Sequence, residues 1–226
     1  MSLSERSYNT QIYRPKPEIH HESDGQLTVI ATPWGPRAAA KKASQVIVDQ
    51  FLSSREDRES TSPFARLTCL SSFANDLRAS VYLANDTLYN EDNKSEYSAG
   101  VELLAIAKVE NEVTLVQSGH PMVLLQRADQ PLCLLGSQVD FAAQFSTHKK
   151  PMPPLPGQLL GLSSTSNLFI HSLRYQPGDK LILVSQSFLP GSLFSLKSDQ
   201  FNLDDMANHL IQTQPDHPFW LGLLEY

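Results

Sequence analysis

The 226-residue sequence predicts an α+β domain. Two observations carry that prediction. Apolar runs of five to nine residues, separated by short polar turns, are concentrated in the middle of the chain, where they read as antiparallel strands. The stretches with helical periodicity stand apart from that block, two before it and one after it, and do not alternate with single strands as βαβ units require.

Residues 1–24 are polar, carry Pro15, Pro17 and His20-His21, and show little periodicity. They read as an arm that is either loosely ordered or adds an edge strand. Residues 25–226 read as one domain, since a chain of this length with 41% hydrophobic residues can bury a sizeable core. LTVIA (27–31) is a short buried strand, stopped by the turn TPWGP (32–36). RAAAKKASQVIVDQFL (37–52) is rich in helix formers and aligns Ala39, Ala43, Val46, Ile47 and Phe51 on one stripe, with Arg37, Lys41 and Lys42 on its solvated face.

After the charged loop SREDREST (54–61), Ser62 reads as an N-cap with Pro63 in the first helical position. The steps Phe64, Leu67, Leu70, Ala74, Leu77, Val81, Ala84 and Leu88 then predict a longer second helix. VELLAIAKV (101–109), VTLVQS (113–118), MVLLQR (122–127) and PLCLLG (131–136) predict an antiparallel meander with short turns. Residues 137–166 are irregular. The P-x-x-P spacing in KKPMPPLPG (149–157) suits a rigid surface loop better than a polyproline ligand. NLFIHSLRY (167–175) and KLILVSQ (180–186) read as a hairpin about Gln176–Asp179, DDMANHLIQT (204–213) as a helix with Asp204 and Asp205 favourably in its first turn, and FWLGLLEY (219–226) as a closing strand.

Charge and composition exclude several classes. Lys plus Arg number 18 against 24 Asp plus Glu, a formal charge of −6, which argues against a phosphate-binding nucleic-acid surface. No apolar run is long enough to span a bilayer and no secretory leader opens the chain, so a cytoplasmic location is expected. Cys69 and Cys133 have no motif spacing and are expected to be buried, reduced thiols.

Four stretches, taken in order, resemble the PPM family, the metal-dependent type 2C protein phosphatases with their stage II sporulation E relatives. LTVIATPWGPRAAAKKAS (27–44) resembles the family's first core strand, acidic glycine-rich turn and alanine-rich helix. SAGVELLAIAKVENEVTLVQSGHPMVLLQRADQPLCLLG (98–136) resembles its central hairpins, with Gly-His-Pro at the turn as in the sporulation-type branch. LPGQLLGL (155–162) resembles the following loop, and YQPGDKLILVSQSFLP (175–190) resembles the Pro-Gly-Asp segment that leads through a strand into Ser/Thr-Asp-Gly. The resemblance spans roughly residues 27 to 226. It implies two packed antiparallel sheets flanked by helices, an αββα sandwich.

It also implies two Mn²⁺ or Mg²⁺ ions held by carboxylates, because hard cations need oxygen ligands. The sequence departs from the family there. Thr32, followed by Pro33 and Trp34, stands where the turn begins with Asp. Gln186 stands for the Asp of Ser/Thr-Asp-Gly, and Asp216-His217 for an Asp-Asp or Asp-Asn pair. Glu22 and Asp24 lie too near the first strand to serve as the N-terminal acidic ligand. Loss of two anionic ligands, and of a third acidic group, removes the charge that holds a dication. The former ligand positions are therefore Thr32, Gln186 and Asp216, with Trp34, Gly35, Arg37, His120 and His217 at the groove rim, no catalytic residue and no cofactor.

Other candidates carry less. His120 reads as a turn histidine bonded to nearby backbone and not as a catalytic group. His20-His21-Glu22 with Asp216-His217 could form a Zn²⁺ site, against the plainer reading of an exposed polar arm. Ser185 and Ser187 lack a nucleophile elbow, and Gly178-Asp179 is a hairpin turn with no phosphate-cradling helix. Trp34 and Trp220 read as core or groove-covering aromatics. The expected function is a non-catalytic PPM-like module, a pseudophosphatase in signalling that binds a protein or a phosphopeptide. The alternative is a divergent metal-dependent serine/threonine phosphatase using Mn²⁺ or Mg²⁺; a purely structural subunit is the third reading.

Overall fold

Ten strands, all antiparallel, form two five-stranded sheets in the computed structural model, which describes residues 2–22, 26–56, 64–128, 130–136, 138–145 and 152–225. In chain order the elements are β1 (Ser2–Tyr8), β2 (Glu18–His21), β3 (Leu27–Trp34), α1 (Arg37–Glu56), α2 (Ser72–Thr87), β4 (Gly100–Val109), β5 (Glu112–Ser118), β6 (Met122–Gln126), β7 (Cys133–Gly136), the single turn α3 (Ala142–Phe145), β8 (Phe169–Arg174), β9 (Lys180–Ser185), α4 (Leu203–Thr213) and β10 (Phe219–Glu225). The chain forms two compact units. A central unit comprises Pro17–Gly119 and Gln158–Arg174, and a terminal unit comprises Met1–Lys16, His120–Gly157 and Tyr175–Tyr226.

The central unit is a sheet of order β2-β3-β4-β5-β8 with α1 and α2 on one face. Side chains alternate along a strand, so Leu27, Val29 and Ala31 of β3 and Leu103, Ala105 and Ala107 of β4 meet Ala39, Ala43, Ile47 and Phe51 of α1 and Leu77 and Val81 of α2. The alanines of α1 let the helix backbone approach the sheet closely. The opposite face carries Ile30, Leu104, Ile106 and Leu115, also buried. The terminal unit is a sheet of order β1-β10-β9-β6-β7. One face of it packs Ile182, Val184, Leu221 and Leu223 against Met206, Ala207 and Leu210 of α4. Asn202 caps α4, its side chain accepting from the Asp205 backbone N–H.

The two sheets with flanking helices agree with the expected fold class. Of the two readings of the polar arm, the structure has the edge strand, one in each sheet, β1 beside β10 and β2 beside β3. Several other local expectations are corrected. The first strand does not stop at Ala31 but runs through Thr32, Pro33 and Trp34, paired with β4. Pairing with β2 ends at Ala31, so Pro33 lies in a stretch with one open edge, where a missing N–H is tolerated. Ser62 and Pro63 lie outside the described residues, as does Asp24, but the second helix begins only at Ser72. Buried Asn75 holds the preceding segment out of the helix: its amide donates to the carbonyls of Leu67, Leu70 and Ser71, and its oxygen accepts from Leu67 N–H.

The expected meander and second hairpin are also corrected. Strands β4 and β5 pair, but β6 belongs to the other sheet, between β7 and β9. β8 pairs with β5 while β9 pairs with β10 and β6, so Gln176–Asp179 joins two sheets and is not a hairpin turn. Cys69 and Cys133 are free and exposed, not buried. Of KKPMPPLPG only Met152 to Gly157 are described, as irregular backbone with Pro156 bridged to Asp140. No helix among the described residues is long and apolar enough to cross a membrane.

Candidate functional site

In the central unit the end of β3 carries two of the singled-out residues, Thr32 and Trp34. Thr32 lies directly opposite Glu102 of β4, so the two share a sheet face. Both are buried, each 1% exposed. The Trp34 indole Nε1–H donates to Glu102 Oε2 at 2.9 Å. Gly119, at φ 77°, leaves room for the Glu102 side chain: a Cβ there would lie 2.6 Å from Glu102 Cγ. Thr32 Oγ1 has no hydrogen-bond partner among the described residues. Gly35 follows at φ 126°, where any side chain would run into the Ser98 carbonyl oxygen, so the chain can leave the strand only through glycine. Arg37, the first residue of α1, is exposed and pairs with Glu18 of β2, while Lys42 one turn on pairs with Glu91 and Asp92.

In the terminal unit β9 ends at Ser185, and Gln186 follows it into the interior. Gln186 is 0% exposed and its Nε2–H donates to Gln214 Oε1, at the C-terminal end of α4, at 2.6 Å. Ser187 Oγ accepts from Arg14 Nη2 at 3.3 Å. The same guanidinium donates to Asp140 Oδ2 at 2.9 Å, an ion pair with side chains only 3% and 1% exposed. Burial alone would raise the Asp140 pKa, but the Leu155 N–H, the Ser187 hydroxyl, the Ala142 N–H and the Arg14 charge outweigh it and hold the carboxyl below its ordinary value. Asp216 lies at the surface. His217 meets the Phe188 ring edge-on, with centroids 5.2 Å apart. Burial lowers the His217 pKa against the opposing pull of Asp216.

The eight residues singled out from sequence thus divide between the units. Thr32, Trp34, Gly35 and Arg37 belong to the central unit, and His120, Gln186, Asp216 and His217 to the terminal unit. His120 is not on a hairpin: it lies in the connection from β5 of one sheet to β6 of the other, buried, with a cis bond to Pro121. His20 and His21 are engaged locally on β2, His20 with Glu22 at 2.6 Å and His21 with Thr28 at 2.8 Å. Among the described residues no group of three His, Cys, Asp or Glu side chains could hold a metal ion.

Of the three former ligand positions only Asp216 offers the anionic oxygen that the divalent ions implied by the resemblance need; Thr32 and Gln186 do not suit them. Thr32 offers a neutral hydroxyl, beside a carboxylate already held by an indole, and Gln186 offers a buried amide already bonded to another amide. Sequence reasoning missed Glu102, Gln214, Arg14 and Asp140. Glu102 had a legible signal, as the one acidic residue inside the otherwise apolar run VELLAIA.

No protein-family model matches the chain, and no curated protein matches it in sequence. Solved structures do match. The PPM Ser-Thr phosphatase MsPP from Mycobacterium smegmatis, in complex with cacodylate, aligns at TM-score 0.65 and 16% identity, over 100% of this chain and 98% of its own. The Mycobacterium tuberculosis serine/threonine phosphatase PstP/Ppp aligns at TM-score 0.64 and 17% identity, over 100% and 99%. The catalytic domain of PstP in complex with two manganese ions aligns at TM-score 0.59 and 17% identity, over 98% and 96%. Likeness at these identities establishes the fold, which is that of the PPM phosphatases.

Proposed function

We propose that this PPM-fold chain is a pseudophosphatase: a regulatory, cytoplasmic signalling module that binds a protein, or a phosphorylated segment of one, without hydrolysing it. The observation that supports this most directly is the fate of Gln186. At a position where the family resemblance calls for a metal-binding carboxylate, the chain has a neutral amide, wholly buried and bonded to Gln214. Thr32 is likewise neutral and buried. A hydroxyl or an amide lacks the negative charge that offsets the dehydration of a small dication, and no step of metal-assisted hydrolysis can be assigned to these side chains. The likeness in fold to solved serine/threonine phosphatases is the reason to expect a protein partner.

The competing reading is a divergent Mn²⁺- or Mg²⁺-dependent serine/threonine phosphatase. The exposed Asp216 carboxylate favours it, as the one acidic group left at a family ligand position. Turnover of p-nitrophenyl phosphate and of phosphoserine and phosphothreonine peptides, with Mn²⁺ or Mg²⁺ at millimolar concentration, separates the two. The proposed function expects none beyond background. Metal-dependent turnover that Asp216→Asn removes would overturn it in favour of the enzyme.

A further inference from the structure

We infer that the outer edge of β8 is a homodimer interface, where β8 of a second copy of this chain adds antiparallel to it and extends the central sheet across a two-fold axis. In the order β2-β3-β4-β5-β8 the last strand is a free edge. Its inner side pairs with β5 in an unbroken register, from Phe169 opposite Gln117 to Arg174 opposite Glu112. Among the described residues no backbone hydrogen bond reaches its outer side. A row of unpaired N–H and C=O groups is a template for another strand, and proteins blunt such edges with charges, bulges or shortness. The other three edges are blunted in this way. β1 carries Glu5 and Arg6 at its middle, β2 is four residues long and begins with Glu18, and β7 is four residues long with a register shift against β6. β8 has the six residues of an ordinary strand, no bulge, no Lys and no Pro, and its Arg174 stands only at the end.

A second copy is the occupant because the strand is complementary to itself. Ile170 packs towards the helices, so by alternation Phe169, His171 and Leu173 line the opposite face, where the Phe169 and His171 rings stack 8° from parallel. A two-fold axis perpendicular to the sheet joins residues equally distant from it in sequence and keeps them on one face. With the axis at His171, Phe169 of each copy meets Leu173 of the other, Ile170 meets Ser172, and His171 meets its own counterpart. Arg174 meets Leu168 and not a second cation. Aromatic–aliphatic pairs of this kind stabilise a sheet, and the symmetry makes the pair twice.

Self-association is read without phosphatase activity or partner binding, so the pseudophosphatase reading stands or falls on its own assay. Sedimentation equilibrium of the full chain, from micromolar concentration upwards, is expected to show a monomer–dimer equilibrium. Leu173→Lys alters two symmetry-related pairs at once and is expected to weaken the dimer by about tenfold or more. His171→Lys sets two cations face to face on the axis and is expected to shift the equilibrium the same way. Ser4→Lys, on the exposed edge of β1, is expected to leave the dimer as it is. In a Cys69→Ser/Cys133→Ser background, His171→Cys is expected to form a disulfide between copies on mild oxidation, because identical residues meet within bridging distance only on the axis, whereas Phe169→Cys is expected not to. The cross-link reads the same axis should a lysine variant fail to fold. A monomer at every concentration would overturn the inference and leave the edge to a strand of another protein. A dimer that both β8 lysine variants leave intact, or a cross-link through Phe169→Cys and not through His171→Cys, would overturn it as well.

Discussion

Replacing Arg14 by methionine removes one partner of a deeply buried ion pair. The pair joins the segment between β1 and β2 to Asp140, and through Ser187 to the loop after β9, all within the terminal unit. Breaking a buried pair by deleting one partner costs about 3–5 kcal/mol, because the remaining charge is stranded. Asp140 would not be wholly stranded: its Oδ1 still accepts from Ala142 N–H at 2.9 Å and Leu155 N–H at 2.8 Å. The loss is therefore expected at the lower end, about 3 kcal/mol, or a melting temperature lower by about 6–12 °C for a chain of this size.

Urea unfolding across a pH series gives a second readout. The Asp140 pKa is depressed in the folded state, so its contribution is fully present above the unfolded carboxyl value, near pH 4, and is lost as pH falls through the folded value. Without the Arg14 charge the folded value moves up towards the unfolded one, and the acid limb of stability against pH becomes shallower. A loss under about 1 kcal/mol together with an unchanged acid limb would refute the reasoning, since a pair this buried cannot be both broken and silent.

Gly35→Ala is expected to cost about 3 kcal/mol or more, since it combines a disfavoured φ with a clash against the Ser98 carbonyl, whereas Gly178→Ala, at φ 89° with open space around it, should cost about 1 kcal/mol; comparison of the two melts checks this. Gln214→Leu deprives the buried Gln186 amide of its acceptor and is expected to cost about 1–3 kcal/mol in urea unfolding. His217 has a folded pKa below its ordinary value, so its contribution is complete above about pH 6.5 and is lost as pH falls through the folded pKa. His217→Phe should remove that part of the pH dependence, and a slope unchanged between pH 5 and 6.5 would contradict it.

Local chemistry was legible wherever a single element decides it. β3 as far as Ala31, the stripe of α1, the cap and first turn of α4 and the run of β10 all follow from periodicity and turn residues. Pairing partners were not legible. Ser-Gly-His-Pro and Gln-Pro-Gly-Asp are short turns between apolar runs, and such turns look alike whether the flanking strands share a sheet or belong to two. Only the register of the whole sheet distinguishes them. The start of α2 was missed because apolar spacing at Leu67 and Leu70 mimics a helix, while the side chain that prevents one, Asn75, is read from sequence as an ordinary polar residue. At the candidate site the substitutions Thr32 and Gln186 could be seen, because a motif gave them an expected identity. Their consequences could not, because Glu102 and Gln214 lie far from Thr32 and Gln186 in the chain and become their neighbours only through strand register and the end of α4.

The pairing of β1 with β10 carries a consequence for biosynthesis. Ser2 lies opposite Glu225, so β1 waits for β10 to be made before that edge of the sheet can form. The central unit, apart from β8, is complete once Gly119 has emerged, and can begin to order while the remainder is being made. The terminal unit is drawn from three separated stretches and carries the longest loop closure in the molecule. Loss of β10 should therefore leave Ser2–Tyr8 without a partner and expose the edge of β9, making a chain that lacks β10 an aggregation hazard and not merely a shorter one.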